Sequence, residues 1–171
     1  MENAFANLEL STPSDREIRI TRLFDAPRAM VFECYTRPEL LKRWLGVQNG
    51  WTLEECEIDL TVGGGFRYLW RGPGGMEMGM RGVYKEINMP ERIVSTERFD
   101  QSWYAGEAEG MVTFVERDRQ TTATTRILYG SRGIRDSVLK TPMADGMERG
   151  YRQLDGLLTR LRAEADGKKG N

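Results

Sequence analysis

"PMADGMERGYRQLDGLLTRLR", residues 142–162, is the stretch on which the fold turns. Met143, Met147, Tyr151, Leu154, Leu158 and Leu161 recur at steps of 4, 4, 3, 4 and 3 residues. That spacing lays one apolar stripe along about five turns of helix. Arg149, Arg152, Asp155, Arg160 and Arg162 occupy the other faces, and Pro142 suits a helix start. "SRGIRDSVLKT" just before it reads as a looser helical lead-in. A stripe this long has to be covered by an apolar surface supplied elsewhere in the chain.

The preceding residues supply it as strands. "EIRITRLF" (17–24) brings Ile18, Ile20 and, beyond Arg22, Phe24 to one side. Two short helices follow. Asp25 can cap "DAPRAMVFECYT", with Pro27 in the first turn and Ala29, Val31, Phe32 and Tyr35 at helical spacing; "RPELLKRWLG" restarts at Pro38 and stops at Gly46. Six more strands are then read from alternation: "LEECEIDL", "GFRYLWR", "EMGMRGVYKEI", "ERIVSTERF", "GEAEGMVTFVERD" and "QTTATTRILYG". Short turns such as "GPGG" and "NMP" join them, which favours an antiparallel meander over parallel crossovers. A twisted sheet wrapped around one long helix is the economical solution. A single domain is expected at 16–164, with a flexible arm over 1–15 and a flexible polar tail over 165–171.

Composition narrows the chemistry. The 171 residues include 25 basic and 26 acidic side chains, interspersed, for a net charge of -1. No electrostatic case for nucleic acid follows. No run approaches the ~20 apolar residues of a membrane span, so membrane insertion is not expected. The N-terminus has no basic start followed by an apolar run, so a cytoplasmic chain is the expectation. With no histidine and only Cys34 and Cys56, which read as buried thiols, neither a Ser-His pair nor a zinc site is expected. "GGG" at 63–65 lacks the spacing of a dinucleotide fingerprint. No metal and no cofactor are implied. Any acid-base chemistry would fall to Glu, Asp, Lys, Tyr or Arg.

Several words of the chain carry a resemblance. They are "FDAPRAMVFECYTRPELLKRWLG", "DLTVGGGFRY", "MRGVYKEINMPERIVSTERF", "GEAEGMVTFVERD", "TTATTRILYGS" and "GMERGYRQLDGLL", spread over about residues 17–162. Together they resemble the helix-grip (SRPBCC, START-like, Bet v 1-like) superfamily. More closely, they resemble bacterial proteins similar to the C-terminal domain of the activator of Hsp90 ATPase. The family pattern usually has an acidic residue after the serine closing the last strand; here "SRGIRD" has Arg132. The resemblance implies an α+β helix-grip fold: a curved antiparallel sheet wrapped around a long C-terminal helix, with two short helices after the first strand. It also implies a deep cavity between sheet and helix, used in the superfamily by carriers, sensors, cyclases and aromatases. In the eukaryotic co-chaperone this domain contacts Hsp90. The present chain lacks that protein's separate N-terminal domain, so strong Hsp90 stimulation is not expected.

A candidate ligand site follows, with a small apolar or amphipathic molecule as partner and a monomer or homodimer as the state. In "RYLWRGPGGMEMGMRGVY" (67–84), Tyr68 and Trp70 alternate after Phe66, and Met76, Met78, Met80 and Tyr84 alternate after the turn. Phe66, Tyr68, Trp70, Met78 and Met80 are expected to look toward Met143, Met147 and Tyr151 of the helix. This face is either plain core or the wall of a space; methionine and the polar handles of Tyr and Trp suit the second. Gly146 and Gly150 flank the stripe, and serve either close packing or room. Trp44, Trp103 and Tyr104 are expected at a rim or lid, or else in a satellite cluster. Glu97 shares a face with Ser95 and Phe99; facing inward it is a buried carboxyl fit for acid-base or anchoring work, facing outward a solvated one. Three functions stay open: ligand binding oriented by Tyr68, Glu97 or Tyr151; a cyclase- or hydratase-like enzyme using Glu97 and a tyrosine; and an Hsp90-type interaction module.

Overall fold

The computed structural model describes residues 7–101, 104 and 106–169. Its strands are β1 (Glu9–Ser11), β2 (Glu17–Phe24), β3 (Thr52–Ile58), β4 (Gly65–Arg71), β5 (Glu77–Asn88), β6 (Arg92–Phe99), β7 (Ala108–Arg117) and β8 (Gln120–Leu128). Helices α1 (Arg28–Thr36) and α2 (Pro38–Leu41) follow β2, and α3 (Arg132–Leu139) and α4 (Met143–Lys169) close the chain. The strands form one antiparallel sheet in the order β1-β2-β8-β7-β6-β5-β4-β3. The first long strand thus pairs with the last, and the meander between them makes up the rest. This is the helix-grip α+β architecture expected from the sequence.

The structure adds detail at both ends of the chain and differs from the sequence reading at Asp25. The arm over 1–15 includes β1, whose Leu10 sits opposite Ile20 at the sheet edge. It is further tied down where the Leu8 amide donates to Glu148 at 2.8 Å and Arg135 donates to the Ser14 carbonyl at 2.6 Å. The tail expected over 165–171 is helical to Lys169, since no proline interrupts the backbone bonding there. Asp25 does not cap α1. Pro27 occupies the cap position, the Glu116 carboxylate on β7 accepts the Arg28 amide at 2.7 Å, and Asp25 instead pairs with Arg162 of α4 at 2.9 Å.

Helix α4 divides into two parts. Tyr151, Leu154, Leu157 and Leu158 are buried, within the same core as Ile18, Ile20, Phe24 and Phe114. Met143 and Met147, one to two turns earlier, are half-buried. Arg22, with no exposed side-chain surface, fastens the helix to β2: it donates to both oxygens of Asp155 at 2.8 and 2.7 Å and has Glu148 at 3.7 Å. Its guanidinium also lies over the rings of Phe24 and Tyr151, at 5.0 and 5.9 Å. Burial works against the Arg22 charge, but the hydrogen bond and charge of Asp155 outweigh it and hold its pKa up.

Candidate functional site: a cavity beneath the start of the long helix

Where α4 stops packing, the sheet and helix enclose a cavity of about 390 Å³. Phe66, Tyr68 and Trp70 of β4 form one wall. They sit directly opposite Gly82, Met80 and Met78 of β5, so the alternation of both strands turns these side chains to the same face. The rings are packed on one another: Phe66 stacks on Tyr68 at 4.7 Å, and Tyr68 meets Trp70 edge-on at 5.7 Å. Met143, Gly146, Met147, Gly150 and Tyr151 form the roof. The hairpin face expected to look at the helix therefore does so across a space.

Trp44 belongs to the wall rather than to a rim. It is 3% exposed, donates its Nε1 hydrogen to the Cys34 carbonyl at 2.9 Å, and stacks on Tyr151 at 6.3 Å. The indole of Trp70 likewise donates to the Leu45 carbonyl at 2.8 Å. That contact needs Gly46, whose φ is +69° and where a Cβ would fall 2.4 Å from the Trp70 nitrogen. Gly150 serves both of its expected purposes: it lines the cavity, and a Cβ there would come within 3.3 Å of the Trp44 carbonyl. Tyr104 is not in the lining; it packs edge-on against Tyr129 at 6.0 Å. Trp103 lies outside the described residues. Met78 is 38% exposed; with half-buried Met80, Met143, Met147 and Gln48 it marks the side where the cavity meets solvent.

Glu97 faces inward. Register places it opposite Ala108, with its side chain leaning over Gly110, where an added Cβ would fall 2.6 Å from the carboxylate oxygen. The residue is half-buried and lines the cavity. Burial alone pushes its carboxyl up to about 7, and no hydrogen bond or ion pair holds it among the described residues. The neighbouring Tyr68, Tyr104 and Tyr129 hydroxyls are all pushed upward, chiefly by burial and in part by the Glu97 charge. No basic side chain lines the cavity among the described residues. Nor does any group of three or more metal-binding side chains gather among them.

The lining includes residues that were not picked out from the sequence: Tyr35, Gln48, Ser95 and Thr125. Ser95 carried a signal, being two residues from Glu97 on the same strand face. Tyr84, in the alternation with Met80, also lines the cavity. Tyr35 of α1 showed only helical spacing. Its buried hydroxyl has no partner at hydrogen-bonding geometry, although it stands near enough to Tyr151 for each to influence the other's ionisation. Cys34 and Cys56 are free and buried, with thiols pushed up by burial to about 12 and about 11. Such thiols are poor nucleophiles.

Known proteins agree with this architecture. A protein from Rhodobacter sphaeroides is 28% identical, with a TM-score of 0.85 over 90% of this chain and 99% of its own. A Mycobacterium smegmatis protein is 23% identical, with a TM-score of 0.78 over 88% and 95% of the two chains. An Hsp90 activator from Plasmodium falciparum is 23% identical, with a TM-score of 0.51 over 66% of this chain and 72% of its own. The last two likenesses speak for the fold alone. No curated protein matches. The family profile described as "Activator of Hsp90 ATPase homolog 1-like protein" matches residues 25–159, most of the chain, and the protein belongs to that family.

Proposed function

We propose that the protein binds a small apolar or aromatic molecule in the cavity under α4, as a carrier or sensor. The carrying observation is the space itself: about 390 Å³ walled by aromatic and methionine side chains. Small-molecule sites typically run from ~300 to ~1,000 Å³, with apolar walls and a few convergent polar groups. Burial of the ligand's apolar surface supplies affinity, and Glu97, Tyr68 and Tyr151 orient it. Native mass spectrometry of freshly purified protein tests this. A small molecule retained at gentle desolvation and lost on denaturation is expected; protein at its bare mass that also fails to take up apolar compounds contradicts the reading.

A second reading has its own observation. Glu97, pushed up to about 7 by burial, and Tyr68, whose hydroxyl is raised by burial and in part by the Glu97 charge, line the same cavity, and a carboxyl near 7 suits a general acid or base. A cyclase- or hydratase-like reaction at the same site would use that pair. A role as an Hsp90 contact module ranks behind both. The exposed large apolar side chains are spread over several segments, with Met78 and Val83 together on β5, Met76 just before it, and Leu10, Val62, Met89, Val115, Leu128 and Leu139 elsewhere.

A further inference from the structure

Among the described residues, the charged side chains that are buried, Glu17, Arg22 and Arg135, are all matched; Arg135 has Asp136 at 2.9 Å. Buried Arg22 has Asp155, with Glu148 at 3.7 Å, and buried Glu17 pairs with Arg126. Glu97, which lines the cavity, has no such partner among the described residues. Its surroundings are tyrosines from three places: Tyr68 on β4, Tyr104 in the β6–β7 connection and Tyr129 just after β8. None of these supplies a positive charge, and the floor beneath the carboxylate is the bare backbone of Gly110. An unpaired carboxylate in such a place is costly unless a counter-charge meets it.

We propose that the missing counter-charge comes from the ligand, and that the cavity selects an aromatic or apolar molecule bearing one protonated amine. The amine sits against Glu97 and the body lies between the Phe66–Tyr68–Trp70 wall and the methionines of α4. Two features besides the carboxylate favour this. Aromatic ring faces attract a cation electrostatically. With no Lys or Arg in the lining among the described residues, an anionic ligand such as a fatty acid would find no partner and would face the Glu97 charge. The inference rests on the ligand-binding reading above and names the substrate class for that site.

Three probes of one shape test it: 1-(aminomethyl)naphthalene, 1-naphthalenemethanol and 1-naphthoic acid, titrated by calorimetry or by tryptophan fluorescence. At pH 8 the amine should bind about tenfold or more tighter than the alcohol, and the acid weakest. Because the amine requires the ionised carboxylate, its affinity should fall about tenfold between pH 8 and pH 6, while that of the alcohol stays level. In Glu97→Gln the amine should drop to the level of the alcohol. Should that variant fold poorly, the pH series on the unaltered protein decides. Equal binding of amine and alcohol at pH 8, or tighter binding of the acid, overturns this inference and leaves the ligand-binding reading standing. No binding of any of the three overturns both.

Discussion

Glu97 is placed where it costs stability. Its carboxyl is pushed from an ordinary 4.5 to about 7 by burial, so the folded state holds the proton more tightly than the unfolded chain does. The proton-linked contribution is therefore whole below about pH 4.5 and is lost as pH rises through 7. At ~1.4 kcal/mol per pKa unit the cost at pH 8 approaches about 3 kcal/mol. Glu97→Gln keeps the shape without the charge. Denaturant unfolding should show this variant more stable than the parent by about 1–3 kcal/mol at pH 8 and within about 0.5 kcal/mol of it at pH 4.5. A variant less stable at pH 8 would mean that the carboxylate has a partner in the folded protein. The alternation of β6 left this side chain's direction open in the sequence, because Thr96 and Glu97 are both polar and neither marks a buried face. Its buried neighbours are Ala108 directly opposite and Gly110 on the diagonal, and neither is visible as a neighbour until the register is known.

At the scale of elements, α4 does two jobs along one stripe. Its later turns bury Leu154, Leu157 and Leu158, while its first turns roof a space with Met143 and Met147. The stripe was legible in the sequence; the change from packing to roofing was not, since methionine and leucine obey the same periodicity. Nor was the fastening to β2. Arg22 breaks the alternation between Ile20 and Phe24, which reads as a blemish in a strand until Asp155 is seen to meet it. Removing one member of a buried pair typically costs ~3–5 kcal/mol. Asp155 retains 28% side-chain exposure and Glu148 stays close to Arg22, so Asp155→Ala should cost less, about 2–3 kcal/mol. Glu148→Ala, which leaves the bidentate contact in place, should cost about 1 kcal/mol. Unfolding curves for the two variants check the order; a larger loss for Glu148→Ala would move the anchor elsewhere.

At the scale of the whole molecule, the meander, the two short helices and the closing helix were all readable from alternation and helical spacing. The edge strand β1 was missed because three residues are too few to show a period. The hollow interior could not be read at all: an apolar face looks the same in a sequence whether it meets atoms or a void. Packing density decides between the two, because a filled interior is about as dense as an organic crystal and resists added volume. Met80→Trp adds a ring on the cavity side of β5, and the most direct measurement is its effect on binding of N-phenyl-1-naphthylamine beside its effect on unfolding. The cavity account expects the parent to bind the probe with enhanced fluorescence. It expects the variant to lose about tenfold or more of that affinity while its stability stays within about 1 kcal/mol of the parent. A parent that binds no probe, together with a variant destabilised by ~1–3 kcal/mol as overpacked cores are, would contradict it.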